Sequence, residues 1–94
     1  HEKVNRLYYK YMTDKEIEDK IYEIISYESG IPVDSLNHDI SLETDLDITV
    51  LVELVMAIEE AGIVETEFDD NDVMEKAKTI GGFIDLVKLM RNRG

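Results

Sequence analysis

The chain has no cysteine, so hydroxyl, carboxylate and imidazole groups are the residue types left to do chemistry. Thr49 follows Asp47 by two positions, and Asp34-Ser35-Leu36 stands earlier in the chain. A hydroxyl needs an adjacent base to become a nucleophile, and Ser26, Ser29, Ser35 and Ser41 show no His/Asp arrangement that would supply one. His1 and His38 have no partner at ligand or catalytic spacing and are expected to be solvated. Asp45-x-Asp47-x-Thr49 opens like a calcium loop. It fails at Val50, where the turn needs glycine, and at Met56, where a bidentate glutamate should close it. Asp69-Asp70-Asn71-Asp72 reads as a charged helix start, and at most as a weak surface cation site. There is no glycine-rich phosphate loop, and Gly81-Gly82 reads as a pair that allows close helix packing. These residues predict neither an enzyme nor a metal centre.

Charge is more informative. The net charge is −12, and from Ile21 to Glu75 there are sixteen acids and no Lys or Arg. Such a surface repels nucleic acid and anionic membranes and attracts basic proteins. Ninety-four residues suffice for one small domain with a single packed core. No apolar run approaches the roughly 18–20 residues of a membrane span, and no signal peptide is apparent. The expectation is a cytoplasmic monomer.

The elements that must hold these groups are helical. Residues 1–12, with Tyr8, Tyr9 and Tyr11 among basic side chains, read as an N-terminal extension or tag-derived segment before a domain over 13–94. Thr13-x-x-Glu16 is a capping box. Ile17, Ile21, Ile24 and Ile25 follow at helical spacing until Gly30 and Pro32, which predicts a helix over Asp14–Ser29. Ile31–Thr44 is a long loop whose Ile31, Val33, Leu36, Ile40 and Leu42 should tuck inward. A second helix spans Asp45–Glu60, with Ile48, Leu51, Val52, Val55 and Ile58 as its apolar stripe and Leu54 and Ala61 widening it. Thr44 with Asp47 gives a weak capping signal, and Gly62 ends the helix. A short third helix runs from the Asp69 cluster to about Ala77. Thr79 caps a last one, Ile80–Met90, with Ile80, Phe83, Ile84, Val87 and Leu89 apolar. The fold class is all-α, a four-helix bundle.

This layout resembles the acyl carrier proteins. Glu53-Leu54-Val55-Met56-Ala57-Ile58-Glu59-Glu60 is similar to that family's Glu-Leu-Val-Met-Ala-Leu-Glu-Glu. Ser41-Leu42-x-x-Asp45-Leu46 resembles the segment before its second helix. Glu75-Lys76-Ala77-Lys78-Thr79-Ile80 with Phe83-Ile84-Asp85 is similar to its third-to-fourth-helix segment. The likeness covers roughly Thr13 to Met90.

The resemblance implies a carrier whose serine, in an Asp-Ser-Leu motif, bears 4′-phosphopantetheine and whose acidic second helix docks synthases and transferases. Counting back from Glu53 puts Asp47 on the motif's Asp, Ile48 on its Ser and Thr49 on its Leu. The Gly-Ala pair that usually precedes the motif is absent. Three attachment readings stand: no arm at all, an arm on Thr49, or an arm on Ser35. Ser35 is followed by Asn37-His38-Asp39 rather than a helix, and reads better as a loop turn. Partner docking falls to Asp47, Glu53, Met56, Glu59 and Glu60, with basic-surfaced enzymes of fatty-acid or polyketide-type synthesis as the expected partners. Two further possibilities are a degenerate carrier fold without phosphopantetheine, acting as a non-covalent binding or regulatory module, and a bundle enclosing a small free apolar ligand.

Overall fold

Each helix starts at a residue whose side chain accepts from otherwise unpaired N–H groups of the first turn. In a computed structural model of the chain, which describes residues 11–93, these starts define four helices. They are α1 (Asp14–Ser29), α2 (Ile48–Ala61), α3 (Asp70–Lys76) and α4 (Ile80–Arg93). Thr13 and Glu16 form the complete capping box of α1. Asp47 caps α2, Asp69 accepts from Asn71 and Asp72 at α3, and Thr79 Oγ1 accepts from the Gly82 N–H at α4. Gly30 and Gly62 close α1 and α2 at φ 78° and 76°, the left-handed region that favours glycine. His1 and most of the expected N-terminal extension lie outside the described residues. Met12 packs against the core, and its carbonyl accepts from Arg91 at 2.9 Å.

The core is apolar throughout, with no buried polar residue among those described. Ile17, Ile21 and Ile25 of α1 meet Val50, Leu54 and Ile58 of α2, and Ile80, Phe83, Ile84, Leu86 and Val87 of α4 join them. Phe68, from the segment before α3, stacks on Phe83 with ring centroids 5.5 Å apart. Asp14 pairs with Arg91 and Glu18 with Lys88, so α1 and α4 run antiparallel.

The long loop is built rather than merely draped. Val33–Ser35 forms a single 3-10 turn, and further along the loop is laced to the α3–α4 turn. Leu42 N–H donates to the Lys78 carbonyl at 2.8 Å, Ile80 N–H to Ile40 at 3.0 Å, and Gly81 N–H to His38 at 3.0 Å. Leu42 and Leu46 are buried and Ile31, Leu36 and Ile40 partly so. Val33, expected inside, is exposed, because the 3-10 turn carries it outward.

Three other expectations need correction. The α2 helix begins at Ile48, not Asp45, and Thr44 does not cap it; the Thr44 N–H instead donates to Ser41 Oγ in the preceding turn. In α4 the expected Ile80, Phe83, Ile84 and Val87 are buried, but Leu89 is exposed and Leu86 is buried in its stead. Of the glycine pair in α4, Gly81 serves a loop contact rather than helix packing, whereas Gly82 meets the last residue of α3. A Cβ at Gly81 would lie 3.0 Å from His38 Cβ, and one at Gly82 would collide with the Lys76 carbonyl oxygen.

Candidate functional site

The first turn of α2 brings together the residues aligned with the attachment motif. Asp47 Oδ1 accepts the Thr49 N–H at 3.0 Å and the Thr49 hydroxyl at 3.1 Å. The backbone bond first, and the hydroxyl bond second, hold the Asp47 carboxyl below its ordinary value, since both favour the charged form. Between these two residues, Ile48 extends into solvent at 68% exposure. The position that resemblance assigns to the phosphopantetheine serine is therefore accessible but alkyl, and an alkyl group cannot form a phosphodiester. That position does not fit the prosthetic group. The adjacent Thr49 presents an exposed hydroxyl at the helix start.

The expected apolar stripe of α2 is misplaced. Val50, Leu54 and Ile58 are the buried row, Leu51 and Val55 are half-buried, and Ile48 and Val52 face outward with Met56. The reason is that α2 carries apolar residues on nearly every side, so periodicity fits more than one face. Glu53 and Glu60 are exposed on the outward side. Glu59 is half-buried and has a structural task, as its Oε2 accepts the Phe68 N–H at 2.9 Å and ties the segment before α3 to α2. Among the candidate docking residues, Asp47, Glu53, Met56 and Glu60 thus share exposure, whereas Glu59 is partly engaged.

Ser35 sits in the 3-10 turn, away from any helix start. His38 is exposed, as expected, but it does have partners: its Nε2 lies 2.8 Å from Glu18 Oε1 and its ring stacks on Tyr22. That hydrogen bond, supported by the charges of Lys88 and Lys15, holds the Glu18 carboxyl below its ordinary value although burial pushes the other way. Twenty positions separate His38 from Glu18, so no local spacing could reveal the pair. Among the described residues, no group of three or more His, Cys, Asp or Glu side chains is arranged to hold a metal ion. The Asp69 cluster spends its first carboxylate on the α3 cap. No helix among the described residues is long and apolar enough to cross a membrane.

No protein-family model matches the chain. Over 83 residues it is 35% identical to an acyl carrier protein of Lactobacillus johnsonii, an alignment covering 86% of this chain and 100% of that protein. The four-helix layout and this whole-length match agree: the chain belongs to the acyl carrier protein family.

Proposed function

We propose that this family member docks basic-surfaced synthase or transferase enzymes through the outward face of α2, acting as a carrier-type protein and not as a catalyst. The observation that carries this reading is the face itself. Glu53 and Glu60 are exposed beside Met56, and no Lys or Arg occurs from Ile21 to Glu75 to neutralise them. Such a field raises the encounter rate with a basic surface and opposes nucleic acid or anionic lipid. A net charge of −12 also opposes self-association, in keeping with a cytoplasmic monomer.

The relative is named an acyl carrier protein, and its name carried over to this chain implies acyl groups held on 4′-phosphopantetheine. Ile48 supports a chain without that arm, working as a non-covalent binding or regulatory module. A second reading, acyl carriage in fatty-acid or polyketide-type synthesis, is favoured by the exposed Thr49 hydroxyl held at Asp47. Thr49 would then hold the group as a phosphodiester, and the bound arm supplies a thiol for the acyl chain. Asp47 keeps the hydroxyl hydrogen-bonded and oriented beside the helix start.

Intact-mass measurement separates the two readings. The protein is incubated with coenzyme A and a broad-specificity phosphopantetheinyl transferase. A gain of one phosphopantetheine that disappears in Thr49→Ala establishes carriage on Thr49. An unchanged mass, beside a control carrier that is modified, removes carriage through that transferase and leaves the non-covalent reading.

A further inference from the structure

The loop between α1 and α2 completes the start of α4, which couples two segments far apart in sequence. The Ile80 N–H donates to the Ile40 carbonyl and the Gly81 N–H to the His38 carbonyl, both at 3.0 Å. The Leu42 N–H donates in return to the Lys78 carbonyl at 2.8 Å, and Ser41 and Thr79 form one antiparallel bridge. The next N–H of the helix, that of Gly82, is satisfied within its own segment by Thr79 Oγ1. The first N–H groups of a helix have no partner inside it. Lifting the loop therefore removes two first-turn partners of α4 at once. It also brings the fully buried Leu42 and Ile80 toward water.

A side chain fastens the same loop to a third element. His38 Nε2 lies 2.8 Å from Glu18 Oε1 on α1, and the His38 ring stacks on Tyr22, one turn further along that helix. Glu18 Oε2 lies 3.7 Å from Lys88 Nζ on α4. Gly81 and Lys88 are seven positions apart, about two turns along one face of α4. His38 thus closes a circuit. Its carbonyl holds α4 directly, and its imidazole reaches the same helix through Glu18. Asn37, His38 and Asp39 are exposed, whereas Ile21, Ile25 and Ile58 are fully buried. Contiguous segments with few buried contacts open below the free energy of global unfolding, and they open cooperatively.

We propose that residues 37–42 and 78–82 form one strap that opens as a unit ahead of global unfolding and is latched shut by the hydrogen bond between His38 and Glu18. The loop runs on through the turn in which the Ser41 N–H donates to Asp45 Oδ2, and from there to Asp47. The latch is then the means by which α1 and α4 hold the segment that leads into the first turn of α2.

Native-state hydrogen exchange of the whole chain tests the strap, under conditions where rates report opening equilibria. The amides of Leu42, Ile80 and Gly81 should share one opening equilibrium, about tenfold or more above that of Ile21, Ile25 and Ile58. His38→Ala should accelerate both groups by the same factor, about tenfold, because the latch is broken in the open strap as well as in the unfolded chain. His38→Phe keeps a ring against Tyr22 but lacks the bond, and should act as His38→Ala does. Ile58→Val lies ten positions along α2 from its start. It should accelerate the core group by about two- to tenfold and leave the strap amides at parent rates.

Three results would each overturn the proposal. Strap amides that exchange at unrelated rates, or at the rate of the core, show that no such unit opens. Strap amides unchanged in His38→Ala or in His38→Phe show that the bond to Glu18 is not its latch. Equal acceleration of both groups by Ile58→Val shows that the strap opens only with the whole domain.

Discussion

Asp47 and Thr49 are joined twice at one atom: Asp47 Oδ1 accepts both the Thr49 backbone N–H and the Thr49 hydroxyl. The carboxylate is at once the cap of α2 and the anchor of the hydroxyl that stands beside Ile48. Both bonds favour the ionised acid, which is why its carboxyl titrates below the usual range. The cap is therefore complete above the ordinary carboxyl pKa and is lost only as pH falls through the lowered one. Asp47→Ala should speed hydrogen exchange at the Thr49 amide and fray the first turn of α2, whereas Asp47→Asn should retain most of the protection, because asparagine caps as well as aspartate. Equal exchange in all three proteins would show that the cap contributes nothing.

The buried row of α2 separates Leu54 from Val52. Leu54 is fully buried, and Leu54→Ala should cost about 2–5 kcal/mol in chemical denaturation. Val52 is 52% exposed, and Val52→Ala should stay within about 0.5 kcal/mol of the parent. Comparable losses at the two sites would mean that the stripe through Ile48 and Val52 is the packed one after all.

That pair of residues also shows how far the chain could be read without coordinates. Caps and stops were legible because they are local: Thr13 with Glu16, Gly30, Gly62 and Thr79 all act where their residue types predict. The face of α2 was not, because Ile48, Val50, Val52 and Leu54 are all apolar and only packing against α1 decides among them. His38 was opaque for a different reason, since its partners Glu18 and Tyr22 come from another helix. The candidate site lay between these cases. Its residues were identifiable, but the sharing of Asp47 Oδ1 and the joint exposure of Ile48, Val52 and Met56 are three-dimensional facts.

The two glycines at the start of α4 should respond differently to alanine. At Gly82 the new Cβ would collide with the Lys76 carbonyl oxygen, a backbone atom that cannot swing aside. Gly82→Ala should cost about 1–3 kcal/mol by overpacking. At Gly81 the closest atom is His38 Cβ at 3.0 Å, and the loop can yield by a few tenths of an ångström. The roughly 1 kcal/mol helix preference of alanine over glycine offsets that strain, so Gly81→Ala should be close to neutral. Thermal unfolding of the two variants checks the ranking.

Glu18 links three parts of the fold, reaching His38 in the loop at 2.8 Å and Lys88 in α4 at 3.7 Å from its place in α1. Its carboxyl is held below the ordinary value chiefly by the His38 hydrogen bond. The sign follows directly: a depressed folded pKa contributes stability that is present above the unfolded value and lost as pH falls through the folded one. Glu18→Gln should therefore lower stability near neutral pH by about 1–2 kcal/mol and flatten its decline below about pH 4. Denaturation curves for both proteins between neutral and acid pH would show the difference shrinking toward zero in acid. A difference that stays constant would assign the effect to packing instead.

Reversing two outward charges of α2 tests the docking face without touching the core. Glu53 and Glu60 are exposed on the outward side, whereas Glu59 is half-buried and bonded to the Phe68 N–H. Glu53→Lys with Glu60→Lys raises the net charge from −12 to −8, two units for each change. Self-repulsion within the acidic bundle falls, so thermal stability should hold or rise slightly. Binding of a synthetic Lys- and Arg-rich helical peptide should weaken by about tenfold or more, and its salt dependence should shrink because fewer opposed charges remain. Undiminished binding in a folded variant would remove these two acids from the docking face, and loss of helicity would make them structural.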